Sequence, residues 1–208
     1  MFNQNTSSFN RADREILCQI VPQNAHVLDL GCGDGTLLAE LMERKKVTGR
    51  GIDIDERNII QCIERGLSVT QSDLDKGLVD YPDNAYDYVI LNQTLQVIMK
   101  PDHIIREMLR VGKSGIVGFP NFGHWRPRFS LFFDGKMPKI PTLPFEWYNT
   151  PNIHLLTIRD FRDFCRRENI TIIREEYFIA GSWRHMPFWR PLANLLAVHG
   201  MFVIRKSA

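Results

Sequence analysis

A chain of 208 residues that is 44% hydrophobic and 24% charged has the composition of one folded domain, long enough to bury roughly 70% of its unfolded surface. A formal net charge of +2, with no block of five like charges, argues against nucleic-acid binding through bulk electrostatics. The four cysteines, Cys18, Cys32, Cys62 and Cys165, form no Cys-x-x-Cys pair, which argues against a disulfide framework or zinc knuckle and for reduced thiols. The first ten residues are polar, and no run reaches the ~18 apolar residues of a membrane helix. A cytoplasmic protein with no metal site and no membrane or nucleic-acid partner is therefore expected.

From Val27 to Phe119, short apolar runs alternate with helical periodicity, the pattern of a parallel sheet flanked by helices. Val27–Leu30 reads as a buried first strand, and Thr36–Arg44 as a helix with Leu37, Leu38, Leu41 and Met42 on one side. Gly51–Ile54 is a second strand. Asp55 caps the next helix, expected to turn Ile59, Ile60 and Ile63 inward and to stop at Gly66. Leu67–Thr70 and Tyr88–Leu91 supply strands three and four. Asp102–Arg110 is a helix with Ile104, Ile105, Met108 and Leu109 inward, and Ile116–Phe119 is strand five. Gly123–Pro151 then breaks the pattern with prolines and aromatics lacking periodicity, including Trp125, Phe129, Phe132, Phe133, Pro141, Pro144, Phe145, Trp147 and Tyr148. So long an irregular stretch is read as a functional excursion over one face. Thr157 and Asp160 resemble a capping pair for a helix that buries Ile158, Phe161 and Phe164. Ile170–Ile173 and Met201–Ile204 are two last strands, which makes seven in one domain over residues 1–208.

Gly31-Cys32-Gly33-Asp34-Gly35 lies between a buried strand and a helix start, where glycine permits positive φ and close approach of a ligand to the backbone. A dinucleotide fingerprint requires glycine where Thr36 stands, so the spacing is G-x-G-x-G. Pyrophosphate favours a helix N-terminus, whereas the sulfonium and ammonium of S-adenosylmethionine (SAM) favour a carboxylate such as Asp29. Asp53, at the end of the second strand, is placed to accept ribose hydroxyls. Ser72-Asp73-Leu74 ends the third strand, where a carboxylate and a backbone amide face an adenine edge. Any one acid reads equally well as a turn or cap residue, but three in order at strand ends read as a site.

The segments Val27–Leu37 (VLDLGCGDGTL), Gly51–Asp55, Ser72–Asp75 and Tyr81–Leu91 (YPDNAYDYVIL) resemble successive motifs of class I SAM-dependent methyltransferases. Leu91–Val97 (LNQTLQV), Gly118–Arg128 (GFPNFGHWRPR) and Leu143–Leu156 (LPFEWYNTPNIHLL) resemble the MetW family of methionine biosynthesis. The resemblance implies a Rossmann-like α/β fold, a seven-stranded, mostly parallel sheet with helices on both faces. It also implies SAM or S-adenosylhomocysteine as ligand and homoserine O-acyltransferase as partner. Ligand contacts carry over to Asp29, Gly31, Gly33, Asp53, Ile54, Asp73, Leu74 and Asn92; Cys32 and Gly35 complete the glycine loop.

Catalytic residues are unassigned. Asn92-Gln93-Thr94-Leu95 replaces the Asn-Pro-Pro-aromatic turn of nucleobase amino-methyltransferases, and no cysteine follows a proline as in pyrimidine-carbon methyltransferases. Cys32 is read as a small loop residue, and His26 and His199 as structural. His124, Trp125, Arg126 and Arg128, with Trp147, Tyr148, Asn149 and His154, make the excursion, residues 123–156, a lid or a docking face. Two functions compete: a SAM-binding accessory of the acyltransferase, and an independent methyltransferase for a small polar acceptor. An independent enzyme should carry an acid or base beside Asn92. None is recognisable in the sequence, which favours the accessory. An NAD oxidoreductase is weakened by the missing third glycine.

Overall fold

The apolar runs become the middle of one mixed sheet. β1 (His26–Leu30), β2 (Thr48–Asp53), β3 (Val69–Gln71), β4 (Tyr86–Asn92) and β5 (Gly112–Pro120) run parallel. β6 (Ile170–Ile179), β7 (Ser182–Arg184) and β8 (His199–Lys206) join antiparallel, in the order β3-β2-β1-β4-β5-β8-β6-β7. The computed structural model describes residues 3–138, 146–185 and 190–207; Pro141, Pro144 and Phe145 of the excursion lie outside them. Strands covered on both faces explain the two larger core clusters, because successive side chains point to opposite sides. Leu28, Val89 and Val117 face α4 (Pro101–Val111) and α6 (Ile158–Arg167). Val27, Ile90 and Ile116 face α1 (Asn3–Ile20) and α2 (Thr36–Lys45) through Leu17 and Leu41.

Among the described residues the sheet has eight strands, one more than expected. The extra strand, β7, pairs with β6 across Ala180-Gly181, both at positive φ. Such a two-residue turn normally announces itself as Asn-Gly or Asp-Gly, and Ala-Gly does not. Helix α1 and helix α7 (Arg190–Leu196) also went unread. The third helix, α3 (Glu56–Glu64), keeps its Asp55 cap, whose side chain accepts from the Arg57 amide. Its phase differs from expectation: Cys62 is buried, Ile59 is partly covered, and Ile60 and Ile63 are exposed. A slim thiol lets α3 approach the glycine loop, where a Cβ on Gly35 would lie 2.8 Å from Cys62 Sγ.

The excursion is partly helical. α5 (Trp125–Phe129) is capped by His124, whose Nδ1 accepts from the Arg126 amide, and runs into a π-helical turn, Ser130–Asp134. At its far end Thr157 and Asp160 form the expected reciprocal box. Asp160 N donates to Thr157 Oγ1 at 3.2 Å, and Thr157 N donates to Asp160 Oδ2 at 3.0 Å. Thr157→Ala should cost roughly 0.5–2 kcal/mol in denaturant unfolding while ligand affinity at the glycine loop is unchanged. A loss of that affinity would mean the box also positions the site.

Candidate functional site

β1 lies between β2 and β4, so the chain reverses its winding direction there and leaves a crevice beyond the strand ends. Gly31 and Thr94 close on each other across it. A Cβ on Gly31, whose φ is +72°, would fall 2.5 Å from Thr94 Oγ1. The loop is held from behind: Gly31 N and Cys32 N both donate to Ile52 O, at 2.7 and 3.0 Å. Gly33 also has positive φ, and nothing lies within 4 Å of where its Cβ would be. The backbone there is open to a ligand.

Asp29 is 3% exposed at the end of β1, and no hydrogen bond reaches its carboxyl among the described residues. Burial, then the adjacent Asp53, pushes its pKa from 3.8 up to about 7. A cation beside it would remove that penalty. Asp53 instead accepts three hydrogen bonds from its surroundings. Its Oδ2 accepts from Gly33 N at 2.8 Å, and its Oδ1 accepts from Asp55 N at 2.9 Å and Asn58 Nδ2 at 3.1 Å. A carboxylate has about four acceptor positions, so one remains. Ile54, 66% exposed, offers an apolar surface next to it. Asp73 accepts from Asp75 N at 3.0 Å and caps a short 3-10 turn that buries Leu74.

The end of β4 holds what sequence reasoning missed. Asp13 of α1, 3% exposed, accepts at Oδ2 from Asn92 Nδ2 at 3.0 Å and from Gln93 Nε2 at 3.4 Å. Burial pushes its pKa to about 7 as well, against the hydrogen bonds and Arg14, which pull it down. Gln93 Nε2 also lies 3.1 Å from His199 Nδ1. Burial depresses the His199 pKa to about 3, so the ring is neutral and Nδ1 accepts. Gln93 holds φ +58°, an unusual conformation for a side-chain-bearing residue, fixed by Gln93 N donating to Gly118 O at 2.8 Å. Thus an acid and a histidine do lie at Asn92, contributed from positions 79 and 106 residues away from their partners. No local signal could announce them.

Cys32 and Cys62 lie under the loop with sulfurs 4.0 Å apart, and burial pushes both thiols upward, as a packing role requires. Among the described residues no group of three metal-ligating side chains lies together. None of the described helices is long and apolar enough to cross a membrane. In the excursion, Arg126 lies over the Trp125 ring at 5.3 Å, Phe129 stacks on Phe133, and Phe132 meets Phe133 edge-on. Phe132 and Trp147 are 80% and 74% exposed, so these rings line the surface instead of filling a satellite core. The excursion's return is fastened to the crevice: Ile153 N and His154 N donate to Gln96 O, and Gln96 Nε2 donates to Gln93 O.

A doubly wound sheet with a G-x-G-x-G loop at its switch point and acids at successive strand ends defines the Rossmann-like fold of class I SAM-dependent methyltransferases. Solved structures agree: a SAM-dependent methyltransferase from Mesorhizobium loti has a TM-score of 0.68 at 16% identity, over 94% of this chain and 98% of that one. The cyclase SpnF has a TM-score of 0.66 at 17% identity, over 94% and 80% of the two chains. More narrowly, the profile of the family described as "Methionine biosynthesis protein MetW" matches residues 11–204, and the chain belongs to that family. It is 39% identical over 175 residues to the "Bifunctional methionine biosynthesis protein MetXA/MetW" of Rhodopirellula baltica, covering 80% of this chain and 28% of that relative. The chain therefore spans under a third of that protein's length.

The two raised carboxyls set a pH dependence. Between pH ~4 and ~7 the folded chain keeps protons on Asp29 and Asp13 that the unfolded chain has released, so stability falls as pH rises. Asp29→Asn should melt above the parent at about pH 8 and close to it at about pH 4, leaving the Asp13 part of the slope. Differential scanning calorimetry across this range checks the sign; a variant that melts lower at about pH 8 would mean Asp29 is already paired with a cation.

Proposed function

We propose that this protein binds SAM or its demethylated product in the β1–β4 crevice and works as an accessory of homoserine O-acyltransferase in methionine biosynthesis. The observation that carries the ligand is Asp29, a buried carboxyl without a donor beside an open glycine backbone. Such an acid suits a cationic ligand and not a pyrophosphate. Gly31, Cys32, Gly33 and Gly35 shape the loop around the ligand; Asp53 offers its remaining acceptor position to the ribose. Ile54 faces the base, with Asp73 and Leu74 at its edge, and Asn92 closes the far side. When bound, SAM would supply an electrophilic methyl group.

Support for the partner is independent. In the Rhodopirellula baltica relative, MetXA and MetW parts share one bifunctional chain, which holds them at high effective concentration. The exposed ridge of Trp125, Phe129, Phe132 and Phe133 has the aromatic composition of an interface. An independent methyltransferase for a small polar acceptor is the second reading, and the Asp13–Gln93–His199 cluster beside Asn92 favours it.

Titration calorimetry should give tighter binding of SAM and S-adenosylhomocysteine than of NAD; the reverse order would sink the cofactor assignment. Asp53→Ala should weaken SAM by roughly tenfold to a thousandfold, since charge-assisted hydrogen bonds are worth about 1.5–3 kcal/mol each. It should also loosen the loop, read as faster hydrogen exchange at Gly33.

Linkage tests the partnership. Homoserine O-acyltransferase should change SAM affinity by about five- to 150-fold, and SAM should change the partner's affinity by the same factor. Trp125→Ala should weaken the complex. A complex that forms without shifting SAM affinity would leave this chain a passive stabiliser, and no complex would return the excursion to a lid.

A further inference from the structure

A cavity of about 120 Å³ lies against β6, and β5 and β8 separate that strand from β4 and the crevice. One water needs roughly 10–15 Å³ of such space, so an ion of several atoms fits. Ile172, Ile173 and Tyr177 line its apolar part, and Arg174, His185 and Arg190 bring nitrogen donors to it. The sheet is irregular there. β7 pairs with β6 over Tyr177–Ile179, short of the cavity's other strand residues, and the ladder to β8 shifts register between Ile172 and Arg174. A bulge of this kind re-aims side chains and is common beside sites.

Charge is unbalanced along the cavity wall. Glu175, which is buried, lies between two guanidiniums: Arg162 Nη2 donates to its Oε2 at 2.7 Å, and Arg190 donates to both of its oxygens. Burial pushes the Glu175 carboxyl up, but bonds from Arg190, Arg162 and Tyr177 hold it below its usual value, so one anion faces two cations. Arg174 Nε pairs with buried Glu176 at 2.7 Å, which adds no net charge. His185 Nδ1 lies 2.9 Å from Glu175 O, and a carbonyl only accepts, so that nitrogen carries hydrogen. Arg174 Nη1 and Nη2 and Arg190 Nη1 are left without a partner among the described residues. Each carries two hydrogens, about six donors in all, against the about four acceptor positions of a carboxylate. A phosphoryl group, with three strong acceptor oxygens, suits two arginine forks better.

We infer that Arg174 and Arg190, with His185 beside them, form a site for a phosphate group at the edge of β6. The group supplies the missing negative charge and accepts from the free guanidinium nitrogens. A purely structural role accounts for one guanidinium on Glu175, not for a second on the same carboxylate beside an open cavity. The site stands apart from the crevice and does not depend on the ligand reading given for it. Phosphate has two sources here, the inorganic ion and the phosphoryl end of a small metabolite.

The test titrates the full chain with inorganic phosphate, glycerol 3-phosphate and acetate, at an ionic strength held constant with chloride because exposed charges respond to salt alone. Saturable binding of one phosphate group is expected, with affinity at least tenfold lower in Arg174→Gln. Arg190→Gln is the second variant in case the first does not fold, since Glu175 there keeps Arg162 and Tyr177. Phosphate should also raise the melting temperature of the parent and not that of either variant. Glycerol 3-phosphate that binds tenfold or more tighter than phosphate, and is lost in the variants, identifies a metabolite's phosphoryl group; equal or weaker binding identifies the free ion. A parent that binds neither, acetate that binds tighter than both, or unchanged affinity in folded variants overturns the site. Variants that melt lower by the same amount with and without phosphate do so as well, and leave Arg190 a tie between α7 and β6.

Discussion

The hydrogen bond from Gly33 N to Asp53 Oδ2, 2.8 Å long, holds the glycine loop in place at the edge of the crevice. Three glycines in left-handed conformation make the loop after β1 easy to bend and expensive to order. The same carboxylate accepts from Asp55 N and Asn58 Nδ2, so one side chain joins the loop, the end of β2 and the start of α3. Ordering the loop in advance spares a ligand that cost. It also means that Asp53 cannot be reckoned as a ligand contact alone, since removing it changes loop, helix and ligand together.

Local chemistry was legible where it was complete within a few residues. The strand-loop-helix unit from Val27 to Met42, the Asp55 cap and the Thr157–Asp160 box needed nothing from elsewhere. The inward face of α3 was not legible, because Ile59-Ile60 with Ile63 and Asn58-Ile59 with Cys62 fit helical spacing equally well. Only the narrow gap beside Gly35 selects the thiol. Asp13 and His199 were out of reach for a related reason. Burial gives each its character, and burial comes from α1 and the start of β8 meeting the residues at the end of β4.

The fold does not choose the reaction. A cyclase and a methyltransferase match this chain with TM-scores of 0.66 and 0.68, so one fold is shared by proteins whose chemistry differs. At the end of β4 this chain carries the Asp13–Asn92–Gln93 cluster, and in the stretch after β5 its aromatic ridge. There the polar residues face inward and the aromatic residues face outward, a division that suits one small ligand inside and one protein outside.

Those two faces are mechanically joined at both ends of the excursion. At its start, Asn121 donates to Asn194 O and Ala197 O and accepts from Gly123 N and Ile158 N, which ties the departure from β5 to the first residue of α6. At its return, Gln96 O accepts from the amides of residues 153 and 154, and the Gln96 side chain holds the carbonyl of Gln93. Gln93 in turn touches Asp13 and His199. A ligand that changed the charge on Asp13 would therefore alter bonds only two steps from the backbone that presents Trp147 and Tyr148. Coupling between sites requires an element with two arrangements that both ligands bias. The Gln93–Gln96 turn stands between the two faces in a single observed arrangement, with a left-handed Gln93 whose carbonyl the Gln96 side chain holds. Polar groups buried at a cost beside such a turn make sense when occupancy of the crevice is to be felt outside it.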